Sequence, residues 1–183
     1  MGLADPVDIA GNSLGGEMAL AAAQRGIARS VVAISPAGLW KEGPAPHVKY
    51  VFGSLRFMSV NFPNVRKAAM GVPLLRELAL AVPISVGSRH MPAGDARRAV
   101  DDLAASTAFE ETFLNTHAPF SGTDITVPVT VSFGTRDWIL PESSRRRDRL
   151  PAHTTWVIKK GWGHVPMWID PAGVSQLILE GTR

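Results

Sequence analysis

Residues 7–16 read V-D-I-A-G-N-S-L-G-G. This segment joins a short apolar run to the pattern G-x-S-x-G, and an alanine-rich stretch follows. A strand, a tight turn and a helix in this order are typical of a nucleophile elbow, whose turn exposes a serine hydroxyl above the end of a parallel sheet. The sequence therefore predicts that Ser13 is a nucleophile on a strained turn.

The residues around Ser13 fit such a turn. We expect Gly11 and Gly15 to be glycine because side chains there would collide across the turn, and Gly16 to let the helix pack closely against the strands. A helix that begins near Leu14 directs its free N–H groups and the positive end of its dipole at the Ser13 hydroxyl. The backbone N–H of Leu14 is therefore the predicted oxyanion donor.

Length and composition exclude several classes of protein. The chain has 183 residues, a formal net charge of +3 and no cysteine. This length suits one domain with an inserted subdomain. Without cysteine, a disulfide, a thiolate metal site and a cysteine nucleophile are excluded. The arginines at 145–147 lack aromatic neighbours or a nucleic-acid motif, and we interpret them as a solvated helix face.

No signal peptide or long apolar run is visible. We expect a cytoplasmic protein that takes a small-molecule substrate, binds neither nucleic acid nor membrane, and uses no metal or cofactor.

The order of predicted elements is that of an α/β protein with a mostly parallel sheet of about four strands. The predicted strands are 7–10, 31–35, 127–133 and 154–158, with helices at 14–25, 141–150 and 171–180. Residues 39–123 show amphipathic helical patterns, among them 95–106 and 109–115, and no clear strand. We interpret 39–123 as a helical cap insertion, and 1–38 with 124–183 as the core.

Two further residues follow predicted strands directly. Asp137 ends the motif F-G-T-R-D at 133–137, and His164 ends G-W-G-H at 161–164. Because the carboxyl ends of parallel strands meet at one edge of a sheet, we expect Ser13, Asp137 and His164 to converge there. Alone, this aspartate could be a turn residue and this histidine a loop residue. The conjunction of the three motifs carries the prediction.

Together these motifs resemble the α/β-hydrolase fold superfamily of serine hydrolases with a helical cap, in which the order is also Ser…Asp…His. The resemblance implies that Ser13 is the nucleophile, His164 the base and Asp137 the residue that orients the imidazole. It also implies an ester or related carbonyl substrate and an acyl-enzyme. A serine at the elbow argues against the haloalkane dehalogenase and epoxide hydrolase branches, which resemble this fold but use aspartate there.

The substrate and the reaction stay open at this point. Trp138 and Trp162 flank the predicted triad members and Trp40 begins the insertion, so all three are candidates to line a pocket, but ordinary packing explains each equally well. The motifs G-N-S-x-G-G and S-P-A-G-L, at 35–39, resemble hydrolases that cleave carbon–carbon bonds in ring-cleavage products. Those enzymes usually have tryptophan directly after the histidine, where this chain has Val165. A perhydrolase would share the triad.

The elbow lies close to the start of the sequence. The resemblance implies that several strands and helices precede the elbow in an intact family member, together with a loop that supplies a second oxyanion donor. We therefore expect Met1 to be an internal methionine or the gene to be truncated. The strand at 7–10 would then be an exposed sheet edge that permits self-association. A non-catalytic remnant or binding module of the same fold is the alternative function.

Overall fold

The computed structural model describes residues 5–80, 86–111 and 118–183. Within these residues the centre of the fold is a four-stranded, fully parallel sheet in the order β1-β2-β3-β4. The strands are β1 (Val7–Asn12), β2 (Ala28–Ile34), β3 (Val129–Gly134) and β4 (Thr155–Lys159). The central strands β2 and β3 are buried at all but one position, because a parallel sheet is covered on both faces. The predicted fold class is confirmed.

Two helices, α1 (Leu14–Gln24) and α6 (Pro171–Gly181), cover opposite faces of this sheet. Side chains alternate along a strand, so β2 serves both faces. Val31 and Ala33 belong to the large apolar cluster that contains the buried side of α1. Val32 and Ile34 belong to a second cluster formed with α6. This arrangement leaves the carboxyl ends of β1 to β4 at one edge of the sheet.

Between β2 and β3 the described residues form helices and loops. The helices are α2 (Pro46–Asn61), α3 (Pro63–Gly71), α4 (Pro73–Leu80) and α5 (Ala93–Ala105). Three of them begin at proline, which suits the first helical position. In the described part of this segment no strand occurs, as predicted. Helices α3, α4 and α5 share a separate apolar cluster, to which Met91 before α5 also belongs; its other members are Met70, Leu80, Ala96 and Val100. The predicted helix 109–115 extends beyond the described residues, and the division into core and cap stays a prediction.

The structure contradicts the predicted helix over 141–150. Two separate 3₁₀ turns, Glu142–Ser144 and Arg147–Arg149, occupy this segment. The backbone N–H of Arg146 donates to the carbonyl of Leu39 at 3.0 Å, so no α-helical ladder forms here. The arginines at 145–147 therefore do not share a helix face, although Arg147 is exposed. The Arg145 guanidinium donates to backbone carbonyls and lies 4.8 Å from the centre of the Phe133 ring. Tertiary contacts therefore override the local pattern.

The strand that carries the elbow, β1, forms one edge of the described sheet. Self-association through this edge stays a prediction. Met1, on which the expectation of truncation depends, lies outside the described residues. In the part of the chain that the structure describes, no helix combines the length and hydrophobicity required to span a bilayer.

Candidate active site

Ser13 occupies the strained turn between β1 and α1, with φ 56° and ψ −121°. A positive φ at a residue other than glycine costs about 1–3 kcal/mol and persists only where the surroundings fix it. The Ser13 N–H donates to the carbonyl of Ile34 at 3.0 Å, and the Ser13 carbonyl accepts from Gly16 and Ala37, each at 3.0 Å. The end of β2 and the first turn of α1 therefore hold the elbow in place.

Gly11 and Gly16 permit the close approaches of this turn. A Cβ atom on Gly11 would lie 2.1 Å from the carbonyl oxygen of Gly15, and one on Gly16 would lie 3.0 Å from the Cβ of Pro36. The expectation for Gly15 was wrong, because a Cβ there meets no atom within 4 Å. The backbone of Gly15, and not its side-chain position, makes the turn tight.

A hydrogen-bond chain joins the three predicted side chains. His164 Nε2 lies 2.8 Å from Ser13 Oγ, and His164 Nδ1 lies 3.2 Å from both carboxylate oxygens of Asp137. The structure thus brings together residues that are 151 and 27 positions apart in sequence. With the Nδ1–H group donating to Asp137, Nε2 is the atom left to accept the hydroxyl proton of Ser13.

The environment of Asp137 keeps this carboxyl ionised. Asp137 is 4% and His164 2% exposed. Burial alone raises the pKa of Asp137, but the hydrogen bond and charge of His164 and the N–H group of Leu140 lower it, and the net pKa lies below the usual value. Oδ1 accepts from the N–H groups of Ile139 and Leu140 at 3.1 and 3.0 Å. A buried, ionised carboxylate can stabilise an imidazolium at His164.

The loops that carry Asp137 and His164 are fastened to each other. A Cβ atom on Gly134 would lie 2.0 Å from the carbonyl oxygen of Trp162, so only glycine allows this approach. The Arg136 N–H donates to the same oxygen at 2.9 Å, and the Gly161 N–H donates to Thr135 Oγ1 at 2.9 Å. These bonds hold the loop that carries Asp137 at a fixed distance from the loop that carries His164.

Asn12, which was not predicted as a site residue, connects the elbow to the histidine loop. Its side-chain amide donates to the carbonyl of Ile34 at 3.0 Å and to the carbonyl of His164 at 2.9 Å. The sequence offers one weak sign of this role, namely a polar residue at the end of an apolar strand. No local spacing links two residues that are 152 positions apart.

Ser35, directly after β2, is a second site neighbour that was not predicted. It has φ 44° and is 1% exposed. Its N–H donates to the carbonyl of Ser132 at 2.7 Å. Its buried hydroxyl makes no hydrogen bond of ordinary geometry, and it is the weakest of the groups that lower the pKa of Asp137. A serine before a proline is an ordinary strand end, so the pattern gave no signal of this neighbourhood.

Leu14 begins α1, so its N–H has no partner within that helix. It directly follows Ser13, as an oxyanion donor would, and this role stays a prediction. The described residues contain no group of three or more His, Asp or Glu side chains placed to hold a metal ion.

The three candidate tryptophans lie in different surroundings. Trp162 is 4% exposed in the cluster with α6, and its indole N–H donates to Asp170 at 2.9 Å. This packing is one of the two alternatives that the sequence left open, and substrate contact of Trp162 stays a prediction. Trp40 is buried in the large cluster on the face of α1. Trp138 is 51% exposed, and its carbonyl lies 3.0 Å from His47 Nε2. Substrate contacts of Trp40 and Trp138 stay predictions.

The sequence matches a known family over most of its length. The pattern described as the "Alpha/beta hydrolase family" covers residues 2–177. A protein of Mycobacterium tuberculosis with the name "Epoxide hydrolase EphH" is 31% identical over 182 residues, which is 94% of this chain and 84% of that protein.

Solved structures share the fold. Carboxylesterase CesB from Bacillus subtilis superposes with a TM-score of 0.67 at 20% identity, over 97% of this chain and 60% of that one. A membrane phospholipase A described as a bacterial virulence factor superposes with a TM-score of 0.59 at 25% identity, over 97% of this chain and 58% of that one. The chain therefore spans 58–60% of the length of these two structures.

Proposed function

The chain belongs to the alpha/beta hydrolase family, and from this premise we propose that it hydrolyses an ester or a related carbonyl compound through an acyl-enzyme on Ser13. The observation that carries the proposal is the hydrogen-bond chain from the Ser13 hydroxyl through His164 to Asp137, with 2.8 Å between Oγ and Nε2. The nucleophile contacts the base, and the base contacts the residue that orients it, as nucleophilic catalysis requires.

In this mechanism His164 acts first as a base and then as an acid in each half of the reaction. Nε2 takes the proton of Ser13 while Oγ attacks the carbonyl carbon, and it then protonates the departing alcohol. In the second half of the reaction Nε2 takes a proton from a water molecule, which attacks the acyl-enzyme. Nε2 then gives this proton to Oγ as the acyl group leaves. Asp137 holds the Nδ1–H tautomer and stabilises the imidazolium that forms each time.

The first turn of α1 would stabilise the negative oxygen of the tetrahedral intermediate. The Leu14 N–H follows the nucleophile directly and lies at the positive end of the helix dipole. Losing one such donor typically lowers the rate by ~10²–10³. We assign Leu14 one donor of the oxyanion site.

Ser13 also bears on the choice between an ester and an epoxide, which the name of the mycobacterial relative raises. Attack of a serine oxygen on an epoxide carbon forms an ether, whereas attack on a carbonyl carbon of an ester forms a new ester. Water activated by His164 can hydrolyse the ester, but it cannot cleave the ether, so each epoxide would inactivate one enzyme molecule. A carboxylate at the elbow would instead form a hydrolysable ester from an epoxide. Ser13 therefore favours carbonyl substrates.

Hydrolysis of a carbon–carbon bond is the second candidate, since the S-P-A-G-L motif at 35–39 resembles enzymes of that kind. This reaction also begins at a carbonyl carbon, but its leaving group is a carbon atom that must be protonated. A ring-cleavage dienoate, used beside a p-nitrophenyl ester, separates the two reactions.

The test combines labelling with turnover. We expect a fluorophosphonate probe to label Ser13 in the wild-type chain and p-nitrophenyl butyrate to be hydrolysed, whereas styrene oxide is not turned over. Ser13→Ala abolishes both signals. Ser175→Ala removes an exposed hydroxyl on α6 and serves as the matched control. A sample that is folded by circular dichroism but shows no label on Ser13 contradicts the proposal.

A further inference from the structure

The helices α2 to α5 enclose an apolar cavity of about 230 Å³. Its walls include Leu55, Met70, Leu80, Met91 and Val100, and Arg66 is the charged residue in the lining. An apolar cavity of ~150 Å³ already holds a benzene-sized ligand. This cavity is therefore large enough for a medium-length alkyl chain. The rim includes Ala99, which is exposed, so a ligand can enter from solvent.

Arg66 lies in this lining without a counter-charge. Its Nε atom is buried and has no hydrogen-bond partner, and within the described residues no ion pair involves its guanidinium. Burial lowers the pKa of Arg66. Arg66 as a whole is half-buried. Its Nε atom has lost water without gaining a partner, which is unfavourable for a charged group.

Other arginines of the same helices are satisfied by the protein. Arg76 donates to the carbonyls of Met70, Ser88 and Arg89, and Arg97 donates to the carbonyl of Lys67. Arg66 thus differs from these neighbours, and it lies in the lining of an apolar cavity. Among the described residues no side chain supplies a partner for its guanidinium, so an external anion can do so.

We propose that this cavity binds an amphiphilic carboxylate, with the alkyl chain among the apolar side chains and the carboxylate paired with Arg66. A planar guanidinium matches a carboxylate with two parallel hydrogen bonds. The two methionines in the wall are flexible and adapt to an alkyl chain. An uncharged chain would fill the same space but leave Arg66 unpaired. The site is independent of the chemistry at Ser13.

Isothermal titration calorimetry with octanoate tests the proposal. We expect octanoate to bind, and octanol to bind at least tenfold more weakly because it cannot neutralise Arg66. From hexanoate to octanoate, each added methylene should raise the affinity about fourfold, the factor that corresponds to burying one CH₂ group. Absence of octanoate binding at millimolar concentration, or equal affinity for octanol, overturns the proposal.

Variants and a blocked enzyme locate the bound ligand. Arg66→Gln should weaken octanoate binding at least tenfold, whereas Arg98→Gln, which removes an exposed charge from α5, leaves it unchanged. Ala99→Phe fills the rim, keeps Arg66 and should also weaken binding. Unfolding curves establish that each variant folds. Phosphonylated Ser13 should bind octanoate as before. If phosphonylation abolishes binding, or if Arg66→Gln binds like Arg98→Gln, the ligand lies elsewhere and the proposal is wrong.

Discussion

The side-chain amide of Asn12 donates a hydrogen bond to the carbonyl oxygen of His164 at a distance of 2.9 Å. The same amide donates to the carbonyl of Ile34, which also accepts from the Ser13 N–H. The turn of the nucleophile and the loop of the histidine are therefore attached to one common point at the end of β2. The distance between Oγ and Nε2 depends on this backbone attachment as well as on the two side chains.

Replacing Asn12 tests the value of that attachment. Asn12→Ala removes both hydrogen bonds of the amide, and we expect kcat for p-nitrophenyl butyrate to fall about tenfold or more with a smaller change in KM, because small displacements of a catalytic group are costly. Asn64→Ala, at an exposed position of α3, is the control. Full activity of Asn12→Ala would mean that the histidine loop is held without this amide.

Because the backbone of Ser13 is strained, replacing Ser13 by glycine should stabilise the fold while it abolishes activity. Ser13→Gly should raise the free energy of unfolding by about 1–3 kcal/mol, because glycine adopts a positive φ without the steric penalty. Ser13→Ala removes the hydroxyl but keeps a Cβ atom, so it should not show this gain. Urea unfolding of the two inactive variants gives the difference, and equal stabilities would contradict the strain argument.

Gly134 controls the contact between the two catalytic loops. In Gly134→Ala the new methyl group meets the Trp162 carbonyl at 2.0 Å, so we expect a loss of about 1–3 kcal/mol in unfolding free energy together with a lower kcat. Gly53→Ala in α2 is the matched control, because a Cβ there meets no atom within 4 Å. That substitution should stabilise the helix by about 0.5–1 kcal/mol. Thermal unfolding that ranks the two variants in the opposite order would refute the close approach.

The lowered pKa of Asp137 predicts a pH dependence of stability. A carboxyl whose pKa is lower in the folded than in the unfolded state stabilises the fold above its ordinary pKa of 3.8, and it loses this contribution as the pH falls through the folded value. The difference in unfolding free energy between wild type and Asp137→Asn should therefore shrink between pH 6 and pH 3. Asp102→Asn, at an exposed position of α5, is the control.

The same variant should lose activity through the wrong histidine tautomer. With Asn at 137, the amide can hold His164 with the proton on Nε2, and kcat should fall ~10³–10⁴-fold. Fluorophosphonate labelling of Ser13 should slow in parallel. Unchanged kcat in Asp137→Asn would remove Asp137 from the proposed mechanism.

Features that arise from local patterns were predictable from the sequence. The strands and the helices α1 and α6 follow from hydrophobic periodicity, and the edge where Ser13, Asp137 and His164 meet follows from the direction of parallel strands. Each of these statements needs only neighbours along the chain and a general rule of topology.

The features that were missed depend on contacts between distant segments. In the folded chain the Asn12 amide donates to the carbonyl of His164, and the Arg145 guanidinium lies over the Phe133 ring. Gly15 was misjudged because the direction of its missing side chain depends on the actual path of the turn. Local periodicity contains no information on such distances.

Pro46, Pro63 and Pro73 each begin a helix between β2 and β3. A proline lacks an N–H group, so the preceding helix cannot continue through it with an intact ladder, and the joints between these segments are written into the covalent chain. The first residues of α3 and α4 should therefore keep their place when a residue elsewhere in the preceding helix is replaced.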